Sequence, residues 1–169
     1  MDILEYISSG KLKCVCYDFD DTIVGWTEVR NRKASVFDEN CLEKKNWYVS
    51  HRDCYEPIDF MKKFLKIMHP RTERMFCISW IDWSGPYWMK KEIVEEILGN
   101  DLCDDLLAAG TREMKVEILK KLCKCYGYKP ENILLVDDHP DTCVDAREAG
   151  FCTISPIGVY AYLSREKLL

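Results

Sequence analysis

The stretch "VCYDFDDTIV", Val15 to Val24, decides the fold. A short apolar run leads straight into Asp18, Asp20 and Asp21, so it reads as a buried strand that delivers three carboxylates to its own carboxyl end. Like charges this close raise one another's pKa and resist being desolvated together. The cluster costs stability unless a cation or a retained proton is shared within it, so its spacing calls for a chemical purpose.

The same pattern recurs outward along the chain. Residues 2–8 read as a short helix stopped at Gly10, and residues 13–18 as the first strand. "RMFCIS", Arg74 to Ser79, is a second apolar strand. "ENILLVDD", Glu131 to Asp138, is the clearest, residues 151–155 form the last, and residues 105–109 hold a weaker one. Helical spacing fills the intervals. Pro57 suits a first helical turn, followed by Ile58, Met61, Phe64, Leu65 and Met68 up to Pro70. Ser84 and Pro86 open a helix whose stripe is Ile93, Val94, Ile97 and Leu98. Thr111 caps another, with Met114, Ile118, Leu119 and Leu122 as its apolar face and Gly127 at its end. A further helix runs to Gly150. Apolar runs without alternation, separated by amphipathic helices, predict a three-layer α/β architecture, a Rossmann-like parallel sheet with helices on both faces. Ligands bind such sheets beyond the carboxyl ends of the strands, where the acids sit.

A length of 169 residues without internal repeats or a long Gly/Ser/Pro linker fits one domain over residues 1–169. In residues 25–55 aromatic and charged side chains alternate irregularly, which suggests a small flap or hairpin insertion. With 24 basic against 29 acidic residues the net charge is −5, which argues against general affinity for nucleic acid but does not exclude it as a substrate. The N-terminus lacks a basic segment followed by an apolar one, and no apolar run reaches the roughly 18 to 20 residues that span a bilayer. The expectation is a cytoplasmic protein without membrane association. Of ten cysteines, Cys14, Cys16, Cys77 and Cys152 fall in expected buried strands, and no C-x-x-C occurs, which favours reduced thiols over disulfides or structural zinc.

Four features follow in order, each at a strand end or helix start: Asp18 and Asp20 with Thr22 in "DFDDT", Ser79 in "MFCIS", Lys115 in "MKVEILKKLCKCYGY", and Asp137 with Asp138 in "ILLVDDHPDTCVDAREAG". Together they resemble the haloacid dehalogenase-like (HAD) superfamily of phosphatases and phosphotransferases, over most of the chain from Lys13 to Ser155. The first and fourth motifs are specific, whereas the Ser and Lys motifs are weak alone.

The resemblance implies a Mg²⁺-dependent phosphatase that cleaves a phosphate monoester through an aspartyl-phosphate. Asp18 would be the nucleophile. Asp20 would protonate the leaving alcohol and then activate water, and Thr22 would hold that loop. Ser79 would hydrogen-bond a phosphoryl oxygen, and Lys115 would pair with Asp18 and the phosphoryl group. Asp18, the backbone carbonyl of Asp20 and Asp138 would be oxygen ligands of Mg²⁺, with Asp137 supporting them, and such hard ligands suit this cation. Relatives commonly carry an acidic or amide residue four positions after the metal-binding Asp. Here Thr142 stands there, and Asp141 is the candidate to compensate.

Asp137 and Asp138 alone could be a solvated turn, Ser79 a strand-end hydroxyl, and Lys115 a surface residue, but their joint order favours a site. Asp21 reads as structural and His139 as a loop residue. "ILLVDDHPDT" also looks like the start of a response-regulator receiver domain, yet the 32 residues after Asp137 cannot house the rest of one. Haloacid dehalogenation is disfavoured because Asp20 marks the phosphotransfer branch. The other function class is a catalytically silent HAD-fold binding module. The intervals of 56 residues between Thr22 and Ser79 and 35 between Ser79 and Lys115 leave no room for a large cap. An open site follows, one that admits a bulky phosphorylated substrate or relies on a partner subunit. Among Trp80, Trp83, Tyr87 and Trp88 after the Ser motif, Trp88 reads as a packing residue, and one or two of the others could stack on substrate.

Overall fold

Strand β1 (Cys14–Tyr17) presents four successive side chains that are all closed to solvent, and β6 (Ile133–Val136) does the same. That explains why neither alternates: each is covered on both faces. In the computed structural model, which describes residues 3–26, 52, 55–81 and 87–169, these two strands lie at the middle of a five-stranded parallel sheet. The outer members are β4 (Arg74–Trp80), β5 (Asp105–Ala109) and β7 (Cys152–Ile154), in the order β5-β4-β1-β6-β7. A separate antiparallel pair joins β2 (Val24–Trp26) to β3 (Tyr55–Pro57). The helices are α1 (Ile3–Ser8), α2 (Asp59–Met68), α3 (Tyr87–Leu98), α4 (Arg112–Tyr126), α5 (Pro140–Glu148) and α6 (Pro156–Arg165).

The sheet has a core on each side. Val15, Tyr17, Met75, Cys77, Leu134 and Val136 pack with Met61, Phe64 and Leu65 of α2, Ile93 and Val94 of α3, and Tyr162 and Leu163 of α6. Cys14, Cys16, Phe76, Ile78, Ile133 and Leu135 pack with Val116, Leu119 and Leu122 of α4 and Ala146 of α5. The alternation of Cβ direction along each strand produces this division. Register then sets the site: Tyr17 pairs with both Cys77 and Val136, so Asp18 and Asp137 leave neighbouring strands at one level and Ser79 lies just beyond.

Several expectations need correction. Pro57 ends β3 rather than opening a helix, and α2 begins at Asp59 with Ile58 at its cap position. The buried face of α4 is Lys115, Val116, Leu119 and Leu122, while Met114 is 43% exposed. Trp88 is not a packing residue. It is 72% exposed and meets only the edge of Tyr87 among the described aromatic rings. Cys152 is half-buried, whereas Cys14, Cys16 and Cys77 are buried, and all eight described cysteines are free thiols. The final helix α6 went unanticipated, although Ser155 caps it by accepting from the Gly158 amide at 3.2 Å and Pro156 occupies its first turn.

Most of the expected flap at residues 25–55 lies outside the described residues, as do Ser84, Pro86 and Trp83. The strands that bracket the flap are paired, Trp26 with Tyr55. Among the described residues no helix is long and apolar enough to cross a membrane.

Candidate active site

Asp18 follows the last residue of β1, and its amide donates to the Val136 carbonyl at 2.9 Å, so the sheet itself fixes this carboxylate at the carboxyl edge. The chain then turns sharply. The amides of Ile23 and Val24 both donate to the Phe19 carbonyl, that of Asp21 donates to Val24, and Asp21 takes a left-handed backbone with φ 55°. Short polar residues tolerate that conformation better than branched ones, which accounts for a structural Asp21.

Lys115 enters from the first turns of α4. Thr111 caps this helix by accepting from the Met114 amide at 3.4 Å. The Lys115 Nζ is 2.8 Å from Asp18 Oδ1 and 2.8 Å from Asp137 Oδ2. Asp137 is wholly buried at the end of β6, and its other oxygen accepts from the His139 backbone amide at 2.9 Å. Carboxylate oxygens of Asp18, Asp137 and the more exposed Asp138 all lie within 4.8 Å of one another. One ammonium faces three acids, two of them buried, so full ionisation of the three would leave a surplus of two negative charges. Hard oxygen donors carrying that surplus fit a small divalent cation.

The electrostatics follow from this crowding. Burial pushes the Asp18 carboxyl up to about 7, with Lys115 opposing the rise and Asp137 and Asp20 adding to it. Burial also works against the Lys115 charge, but Asp18 and Asp137 overcome it and hold the ammonium above its ordinary range. Partial burial, with Asp137 and Asp21 close by, raises Asp138.

Asp20 stands apart from the acidic triplet. Its Oδ2 accepts from Lys90 Nζ at 2.6 Å, and the same Nζ donates to Ser79 Oγ at 2.9 Å. Lys90 was missed in the sequence. Its only signal is position: it precedes Ile93 by three residues and Val94 by four, on the inward stripe of α3. Thr22 is wholly buried beside this turn, and its hydroxyl has no hydrogen-bond partner among the described residues. Thr142 is buried, and its hydroxyl has no hydrogen-bond partner among the described residues. Asp141 lies outside the triplet, with its Oδ2 2.9 Å from Arg112 Nη1 at the surface.

Trp80, 61% exposed, follows Ser79 and donates its indole N–H to the Gly110 carbonyl at 3.0 Å, while the Tyr87 hydroxyl donates to the Leu106 carbonyl at 3.0 Å. A groove bounded by Arg74, Tyr87, Leu107, Ile118 and Tyr126 runs along the β5 edge, but none of the acidic triplet lines it.

No protein-family model matches the sequence, and no curated protein matches it. The structure does have solved counterparts. A haloacid dehalogenase-like family hydrolase of Streptococcus pneumoniae aligns with a TM-score of 0.63 at 10% identity, over 90% of this chain and 91% of that one. A HAD family enzyme of Bacteroides thetaiotaomicron, solved as an Asp-to-Ala mutant in complex with magnesium and inorganic phosphate, aligns at 0.58 and 13% identity, covering 85% of this chain and 93% of its own. A phosphoserine phosphatase solved as a phospho-aspartyl intermediate analogue aligns at 0.56 and 18% identity, over 90% and 91%. A five-stranded parallel sheet in the order β5-β4-β1-β6-β7, with the acids of β1 and β6 at its carboxyl edge, is thus a HAD-like fold.

Proposed function

We propose that this protein is a Mg²⁺-dependent phosphatase acting on phosphate monoesters through an aspartyl-phosphate on Asp18. The observation that carries the reading is Lys115 bridging Asp18 and Asp137, 2.8 Å from each, beside Asp138 at the carboxyl edge of the sheet. The magnesium and phosphate bound by the Bacteroides enzyme and the phospho-aspartyl analogue of the phosphoserine phosphatase support it.

In this reading Asp18 attacks phosphorus as the bond to the leaving oxygen breaks, and Asp20 passes a proton to that oxygen. A water molecule then attacks the phosphorus of the aspartyl ester, Asp20 takes up its proton, and phosphate leaves with Asp18 restored. Lys115 orients Asp18 and offsets charge on the transferring group, while Ser79 donates to a phosphoryl oxygen. Asp18, Asp138 and the Asp20 carbonyl would hold Mg²⁺, supported by Asp137. When bound there, the cation would offset the repulsion between carboxylate and phosphate. Residues 1–169 act as one domain, and the β2–β3 pair supports an insertion rooted there.

The test is hydrolysis of 4-nitrophenyl phosphate with and without Mg²⁺, joined to rapid-quench detection of acid-stable, base-labile phosphate on the protein. Mg²⁺-dependent turnover that vanishes in Asp18→Asn is expected. Absence of turnover across phosphometabolite, phosphopeptide and phosphorylated nucleic-acid panels would return the chain to the other reading, a binding module on the same fold.

A further inference from the structure

The site contains two buried lysines, and the mechanism above uses only one. Lys115 reaches Asp18 from the α4 side of the sheet, while Lys90 reaches Asp20 from the α3 side. The Lys90 side chain is 5% exposed and sits on an otherwise apolar stripe with Met89, Ile93 and Val94. A buried ammonium is costly unless its partners are well placed. Here its Nζ has three: Asp20 Oδ2 at 2.6 Å, Ser79 Oγ at 2.9 Å, and the Phe19 ring, whose centroid is 4.8 Å away.

We infer that Lys90 is a positioning residue that fixes the Asp20 carboxyl beside Ser79, on the leaving-group side of the transferred phosphoryl. The inference rests on the phosphatase reading. Asp20 lies on the turn past the end of β1 with its side chain 30% exposed, and the Lys90 contact ties its carboxyl to α3. The stem of Lys90 is held by the α3 core, and the Phe19 ring sets its ammonium from below. Lys90 thus transmits the position of the α3 helix to a carboxyl group that must meet the leaving oxygen within hydrogen-bond reach. Because it also donates to Ser79, it sets the separation between the group that grips the phosphoryl and the group that serves the departing oxygen.

This role predicts a dependence on leaving group that general loosening of the fold would not produce. The measurement is kcat/KM, which reports the step that expels the leaving group, on a series of substituted phenyl phosphates of graded acidity. In Lys90→Met, phenyl phosphate should lose about tenfold to a hundredfold, part of the hundred- to ten-thousandfold range of general acid assistance, while 4-nitrophenyl phosphate loses only a few-fold. In an Asp20→Asn background the same change at Lys90 should no longer steepen the series. An equal loss on every substrate, or a raised KM with weaker orthovanadate inhibition, would overturn the inference and make Lys90 a phosphate contact or a packing residue.

If Lys90→Met fails to fold, Lys90→Gln supplies the same comparison with a shorter donor. Crystal structures of wild type and Lys90→Gln give a readout without turnover. Asp20 should swing away from Ser79 in the variant, and an unmoved Asp20 would refute the positioning role. Wild type that cleaves neither aryl phosphates nor any member of the phosphometabolite, phosphopeptide and nucleic-acid panels would refute the phosphatase reading instead, leaving the crystallographic result to judge the Asp20 contact.

Discussion

The ammonium of Lys115 lies 2.8 Å from Oδ2 of Asp137, a carboxylate completely closed to solvent. The pair ties α4 to the end of β6 across the same edge that carries Asp18. Removing one member of a buried pair commonly costs about 3–5 kcal/mol, and here Lys115 would be left with Asp18 as its one remaining carboxylate among the described residues. Asp137→Ala should show a loss of that size in urea unfolding, and Asp137→Asn, which keeps an acceptor for the His139 amide, a smaller one. A loss under about 1 kcal/mol in Asp137→Ala would mean that Asp18 alone, or water, satisfies Lys115.

Asp18→Asn should abolish turnover and phosphoenzyme formation without lowering stability in the absence of metal. The folded environment pushes the Asp18 carboxyl up to about 7, so it disfavours the charge that Asn lacks. At pH 8 without Mg²⁺ the variant should melt no lower than wild type. A clearly lower Tm would show that the Lys115 contact outweighs the cost of burial.

Stability without metal should fall as pH rises from about 4 to about 7. Asp18 ordinarily titrates at 3.8 and in the fold at about 7, so across this window the folded state binds more protons than the unfolded one. Protons and Mg²⁺ would then compete for the same oxygens, and the Mg²⁺-induced rise in Tm should be larger at pH 8 than at pH 5. Equal rises at both pH values would remove Asp18 from the metal site.

Thr142→Val should be neutral or stabilise the fold by up to about 1 kcal/mol, since it replaces a buried hydroxyl that has no partner among the described residues with a methyl of similar shape. Urea midpoints measure this directly. A loss above about 1 kcal/mol would show that the hydroxyl is satisfied by ordered water or by groups of the bound metal.

The strands were legible because short apolar runs such as Cys14–Tyr17 and Ile133–Val136 are buried on both faces and leave no ambiguity of period. The triplet and Lys115 were legible through their order at strand ends and a helix start. Reading failed where a polar residue faces inward. Counting apolar positions in α4 put Met114 inside, because a lysine is taken as solvent-facing; contacts with Asp18 and Asp137 instead draw Lys115 in and rotate the helix by about one residue. Lys90 was invisible for the same reason. Pro57 misled because a residue without an N–H suits a strand end as well as a first helical turn. Trp88 misled because bulk suggests burial, which its place on α3 denies.

The pairing of Trp26 with Tyr55 bears on how this molecule can diversify. The 28 residues between them begin and end at that junction, and Arg52 among them pairs with Glu92 and Glu96 of α3. To the sheet they are a side branch, and lengthening such a closed loop adds only about 0.6 kcal/mol of closure entropy per doubling. On that arithmetic a change in the length of this segment costs little so long as the Trp26–Tyr55 pairing is kept, and the strand that carries Asp18 lies outside the segment.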